Sequence, residues 1–158
     1  MEIREHVDIV SPDLVMEQLL NLLEDAPGVP LRVTGSSMTP FLVPGRDTVY
    51  LSKITEPLRR GDLVLYRRRS GRYVLHRILC FDGAFYTTIG DAQCSAEPGI
   101  CREQILAIVS AVRRKEKLLQ KGSFCWFFFE KVWIRMISLR TPLSKLYYYL
   151  KAKIRGSI

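Results

Sequence analysis

The chain reads as a mainly β fold, an antiparallel β domain with one helix before it and an amphipathic helical tail after it. Three features lead there. From residue 31 to 112, short runs rich in β-branched and aromatic residues alternate with glycine-bearing turns. Ahead of them, apolar residues recur at helical spacing behind a Ser-Pro-Asp start. Behind them, basic and aromatic residues fall on opposite sides of a helical repeat.

The first element is a helix opened by Ser11-Pro12-Asp13 and carrying Leu14, Val15, Gln18, Leu19, Leu22 and Leu23. Proline stands in its first turn, acids lie near its positive end, and Pro27-Gly28 stops it. Strands are then expected over 31–34, 48–51, 62–67, 73–81, 84–89 and 105–112. Asp82-Gly83 is a two-residue hairpin signal between the fourth and fifth runs. Counted back from such a turn, Phe81 faces Ala84, His76 faces Ile89 and Val74 faces Asp91, which makes Asp91 a diagonal neighbour of His76. The tail holds FCWFFFEKVWIRMISL, a break at Thr141-Pro142, and LSKLYYYLKAKI. Lys131, Arg135 and Ser138 take one side of its helix, with Trp126, Phe129, Val132, Trp133, Met136 and Ile137 on the other. The chain thus divides into a helical segment (1–30), a β-rich domain (31–112) and a basic helical tail (113–158).

At 158 residues the chain has the length of one domain, and 47% hydrophobic with 25% charged residues is the balance of a folded protein. Its charge is uneven: −6 over 1–31, +4 over 32–112 and +10 over 113–158, which sum to +8. A basic end is drawn to phosphate, and its aromatic content favours an anionic membrane surface over nucleic acid. No apolar run of the roughly 18 residues a spanning helix needs is present. Ser123 to Leu139 comes nearest and is broken by Glu130, Lys131 and Arg135. The start MEIREHVDIV lacks the basic residues and apolar run of a secretion signal. Peripheral membrane association is the expectation. Cys80, Cys94, Cys101 and Cys125 form no CxxC pair and have no histidine nearby, so they read as free thiols rather than as a zinc site. A bridge between Cys94 and Cys101 would fit a loop in an oxidising compartment. No metal or cofactor is expected.

Three places can carry chemistry. Gly35-Ser36-Ser37-Met38-Thr39-Pro40 lies where an extended run becomes a loop, and a glycine-bearing turn there can expose both a hydroxyl and a backbone N–H. His76 stands inside an apolar strand, where it is either a satisfied core side chain or a base working near neutral pH. Gly90-Asp91-Ala-Gln-Cys-Ser-Ala-Glu97 follows the next strand and offers two acids, Asp91 and, on the loop beyond, Glu97, either of which could fix the histidine's tautomer.

In order, GSSMTP, Gly45-Arg-Asp47, Gly61-Asp-Leu-Val-Leu-Tyr66, Val74-Leu-His-Arg-Ile78 and Ile89-Gly-Asp91 closely resemble the motifs of type I signal peptidases over about 31–112. The resemblance implies a shared antiparallel β fold and serine endopeptidase activity, with Ser37 as nucleophile. The position just before Arg77 holds His76, so the chain resembles the Ser-His members found in the endoplasmic reticulum, archaea and some spore formers, not the Ser-Lys ones. Asp91 matches the aspartate of the family's Gly-Asp motif, and Glu97 falls six residues on, where those members have their orienting aspartate. Gly35 cannot supply the oxyanion-binding hydroxyl of some bacterial relatives. That task falls to the Ser37 backbone N–H, helped by Ser36, with Gly35 and Met38 beside the substrate. The family's Gly-Asp-Asn reads Gly90-Asp-Ala92 here, and its usual membrane anchor has no counterpart. The implied substrate is a signal or leader peptide with small residues one and three positions before the cut. Two other readings fit the residues: a soluble leader-removing or self-cleaving peptidase akin to the autoproteolytic repressors of the DNA-damage response, which use lysine, and a non-catalytic β module binding anionic membranes or nucleic acid.

Overall fold

The computed structural model describes residues 12–26 and 28–140. Ser11, the Thr141-Pro142 break and the LSKLYYYLKAKI segment lie outside them. Helix α1 (Pro12–Asp25) is followed by eight strands: β1 (Val29–Arg32), β2 (Asp47–Ser52), β3 (Leu63–Arg67), β4 (Tyr73–Phe81), β5 (Tyr86–Ile89), β6 (Glu97–Ile100), β7 (Ile105–Arg114) and β8 (Lys117–Gln120). They form one antiparallel sheet in the order β1-β2-β7-β3-β4-β5-β6, with β8 on β7. The protein is mainly antiparallel β, with an N-terminal helix and a small C-terminal helical region.

β7 organises the sheet. Its first half pairs with β3, its second half with β8, and β2 runs along its other edge. Sheet pairing therefore continues past Val112 to Gln120, inside the stretch read as tail. β3 is buried on both faces, and its alternation sends Leu63 and Leu65 into one apolar cluster and Val64 and Tyr66 into another. The larger cluster also takes Leu19 and Leu23 from α1, Met38, Phe41 and Leu42 from the loop after β1, and Trp126 from the C-terminal region. None of Cys80, Cys94, Cys101 and Cys125 is disulfide-bonded.

The hairpin joining β4 and β5 departs from the two-residue turn. Asp82 Oδ1 accepts from the backbone N–H groups of Ala84 and Phe85, and Phe81 faces Tyr86 across a four-residue loop. An aspartate that binds the backbone ahead of it makes its own turn, and the Asp-Gly dipeptide rule yields to it. A bulge between Ile78 and Cys80 then sets Arg77, not His76, opposite Ile89. One residue of slip exchanges the faces of the sheet, so Asp91 falls on the side of Arg77.

The C-terminal helical region is not the regular amphipathic helix of the periodicity. A short α-helical turn, α2 (Phe124–Phe127), passes into a π turn (Phe128–Val132) and a 3₁₀ turn (Trp133–Arg135). The wider π turn rotates the pattern: Trp126, Glu130 and Ile134 are buried, while Val132 turns outward beside Lys131. Trp126 and Phe129 meet the ring of Phe41 at 5.6 and 5.0 Å. Packing against the core occupies that face, and Phe124 and Phe127 stay exposed. No helix among the described residues is long and apolar enough to cross a membrane.

Candidate functional site

An open cleft of about 680 Å³ is lined by residues 31–35, Ser37 and Met38 together with Arg68 and residues 70–76 of the β3–β4 hairpin. Ser37 and His76, 39 positions apart in the chain, both line it. Gly35 does so as well, in open space where an added Cβ would meet nothing within 4 Å. Ser36 is exposed outside the lining, its carbonyl accepting the Thr39 N–H. Met38, only 2% exposed, roots the loop in the core and reaches the cleft wall.

The loop bearing Ser37 is pinned from below. The Ser37 carbonyl accepts the Ala92 N–H at 2.9 Å, and no hydrogen bond among the described residues uses the Ser37 N–H, which stays available to an oxyanion. Gly90 passes so close that a Cβ there would stand 2.5 Å from the Ser37 carbonyl oxygen. Gly90→Ala is accordingly expected to destabilise the fold by about 1–3 kcal/mol in denaturant titration, as overpacking does, and to displace the serine. An unchanged midpoint would show that the two loops are free to part.

His76 is 1% exposed, and its Nδ1 lies 3.1 Å from the Tyr66 hydroxyl. That hydroxyl donates its single proton to Glu97 Oε2 at 2.8 Å and accepts from Thr88 Oγ1 at 3.1 Å. With its proton committed to Glu97, Tyr66 can only accept from the histidine. Nδ1 therefore carries the proton, and the lone pair rests on Nε2. Arg68 Nε in turn donates to Glu97 Oε1 at 2.8 Å, completing a chain from Arg68 through Glu97 and Tyr66 to His76. Burial pulls the His76 pKa down to about 4, with the Glu97 charge opposing that and the Arg68 charge adding to it. Burial raises Glu97, but hydrogen bonds from Arg68 and Tyr66 and the Arg68 charge outweigh it and hold the carboxyl below its usual range. Burial chiefly, with the Glu97 contact, pushes Tyr66 up to about 12, so it remains a neutral phenol.

Of the two acids, Glu97 reaches His76 through Tyr66, and it does so from strand β6, where it pairs with Thr88, and not from a loop. Asp91 does not stand beside His76. Its carboxylate takes Arg77 Nε at 3.0 and 3.1 Å, with both side chains fully buried. Desolvation raises the Asp91 pKa against the Arg77 charge. Arg140 closes the arrangement by donating to the carbonyls of Gly90, Gln93 and Trp133, while Trp133 Nε1 donates to the Asp91 carbonyl. The Gly-Asp loop is thus a buried brace beneath the serine. Among the described residues no group of three or more His, Cys, Asp or Glu is gathered as a metal site would require.

Tyr66 escaped the sequence reading because it stood as one more aromatic in an apolar strand. The β3–β4 turn held the signal: Arg67 faces Tyr73, so Tyr66 faces Val74 and lies diagonal to His76. No family model matches the chain, and neither a curated protein nor a solved structure matches it.

Proposed function

We propose that the chain is a serine endopeptidase of the type I signal peptidase kind, with Ser37 as nucleophile and His76 as general base. The observation that carries the reading is a serine and a histidine lining one open cleft, the histidine tautomer set so that its basic nitrogen is Nε2. In the free protein no hydrogen bond joins the two among the described residues; such contacts often tighten only when substrate is bound. A substrate strand adds along β1, a terminal strand of the sheet, and sets its scissile carbonyl over Ser37. His76 Nε2 takes the hydroxyl proton as Oγ attacks, and the Ser37 N–H meets the oxyanion. The imidazolium returns the proton to the leaving amine, then takes one from the water that hydrolyses the acyl-enzyme. Leu31, Val33, Met38 and Leu65 offer shallow apolar lining for small side chains. Exposed Phe124 and Phe127, near Lys131 and Arg135, support peripheral contact with an anionic membrane surface.

The test is incubation of the full chain with a leader peptide carrying Ala-X-Ala, with products identified by mass spectrometry. Cleavage after the second alanine that disappears in Ser37→Ala supports the reading; equal cleavage by both proteins sinks it. The pH profile offers a second check. The neutral imidazole is the reactive form, so kcat/KM of the free enzyme should rise with pH through about 4 and stay level through neutrality. Glu97→Gln removes the charge that favours the imidazolium and leaves the Arg68 charge that opposes it, so the acid limb moves to lower pH. A limb near 6.5 that ignores Glu97→Gln would contradict the assignment.

A further inference from the structure

The β3–β4 hairpin is written Arg67-Arg-Arg-Ser-Gly-Arg72, and its inner side forms one wall of the cleft. Arg68 and Arg72 belong to that wall, and Arg32, at the end of β1, lines the same cleft. No aspartate or glutamate lines the cleft among its described residues. The nearby Glu97 has both oxygens taken by Arg68, with Tyr66 donating to Oε2 as well. Arg32 and Arg72 are both exposed, and among the described residues the Arg32 guanidinium makes one hydrogen bond, a long one of 3.3 Å to the Gly45 carbonyl. The charged residues of its described lining are thus all arginines, and the positive charge of Arg72 can be placed along the strand.

Its distance from the reacting atoms is fixed by the strand. β4 pairs with β3 without interruption from Tyr73 to Arg77, and Arg72 stands four residues before His76, on the same face. Four residues of extended chain span about 13 Å. A substrate strand has the same rise, so a residue about four positions from the scissile bond would come to lie near Arg72, in the cleft that Arg32 also lines.

Resting on the peptidase reading above, we propose that this cleft selects acidic peptides, with Arg32 and Arg72 clamping a carboxylate about four residues from the cut. Two guanidinium groups converging on one carboxylate would give a planar, charge-assisted fit that a neutral amide cannot match. The setting is a cleft rather than open surface, and low-dielectric walls focus the field of the arginines on whatever lies between them.

The test uses the Ser37→Ala protein, so that binding is read without turnover. Fluorescein-labelled peptides with Ala-X-Ala at the cut carry Glu, Gln or Lys at three to five positions on either side, and anisotropy gives Kd at low and moderate salt. The Glu peptide is expected to bind about tenfold tighter than Gln at one of these positions, with Lys weaker still, a difference of the size two partly exposed ion pairs supply. Added salt should shrink the gap, and Arg32→Gln/Arg72→Gln should erase it while leaving the Gln peptide's Kd unchanged. Equal Kd values for Glu and Gln at every position would overturn the proposal. So would a preference that survives the double variant, or the same arginine pair binding phosphatidylserine vesicles while ignoring all the peptides. Acid-selective binding with no cleavage by the wild-type chain would sink the peptidase reading and leave the clamp standing.

Discussion

His76→Ala is expected to lower kcat/KM on an Ala-X-Ala leader peptide by about 10⁴- to 10⁶-fold, the loss seen when a serine enzyme is deprived of its base. Tyr66→Phe should cost about 10²- to 10³-fold, because the tyrosine acts through the histidine tautomer and not on substrate. Without the hydroxyl, the His76 Nδ1–H loses its acceptor among the described residues, and the imidazole is free to move its proton to Nε2. A base protonated on the nitrogen that should accept is idle. The double variant should be no slower than His76→Ala alone, since a positioning residue has nothing to position once its target is gone. Multiplied losses would mean that Tyr66 serves some other step.

The same substitution leaves buried Thr88 without its acceptor and takes from Glu97 Oε2 one of its two donors, the other being Arg68, at a cost of about 1–3 kcal/mol of stability. Turnover must therefore be compared where both proteins are folded. A readout that packing alone would not move is the nitrogen-15 signature of His76, assigned against His76→Ala because the chain holds two histidines. Wild type should show the Nδ1–H tautomer, the minor one in water, and Tyr66→Phe should shift toward Nε2–H. Identical tautomers in the two proteins would remove Tyr66 from the relay.

How far the site could be read from sequence depended on the range of the interaction that fixes each residue. The bounds of β4 follow from an unbroken apolar run, and Tyr73–Phe81 is a strand as the pattern says. Ser37 and His76 stood out because a turn and a strand could be matched to motifs in order, and both line the cleft. Which of the two acids connects to the histidine could not be settled that way. The answer turned on one Asx turn at Asp82 and one bulge after Ile78, each a matter of local hydrogen bonding that composition does not encode. Together they hand Asp91 to Arg77 and leave Glu97 to reach His76 through a tyrosine. β6 was missed for a related reason: Pro98 and Gly99 are poor strand formers, and only pairing with β5 holds Glu97–Ile100 extended. The π turn in the C-terminal region likewise follows from packing Trp126 and Phe129 against Phe41, a contact between residues far apart in the chain.

Arg77→Met should destabilise the fold by about 3–5 kcal/mol, the cost of leaving a buried charge without its partner. Asp91 has no exposure, and among the described residues Arg77 makes the direct ion pair with it, the Arg140 charge adding a weaker pull. Arg77 is held in turn by the Gly61 carbonyl at 3.0 Å and by the Phe41 ring, 4.6 Å from the guanidinium carbon. Asp91→Leu should cost a similar amount, because the guanidinium is then the stranded charge. The double variant Arg77→Met/Asp91→Leu should recover most of the loss, since an apolar pair of similar bulk avoids desolvating two ions. Denaturant titration of the four proteins measures the cycle, and simple addition of the two losses would mean that the pair does not act as a unit. Recovery of stability need not restore turnover. The Asp91 loop supports Ser37 through Ala92 N–H, and Arg140 and Trp133 hold its carbonyls. A folded double variant with reduced kcat would separate the brace from the rest of the core, and would tie the position of the nucleophile to an ion pair that never touches substrate.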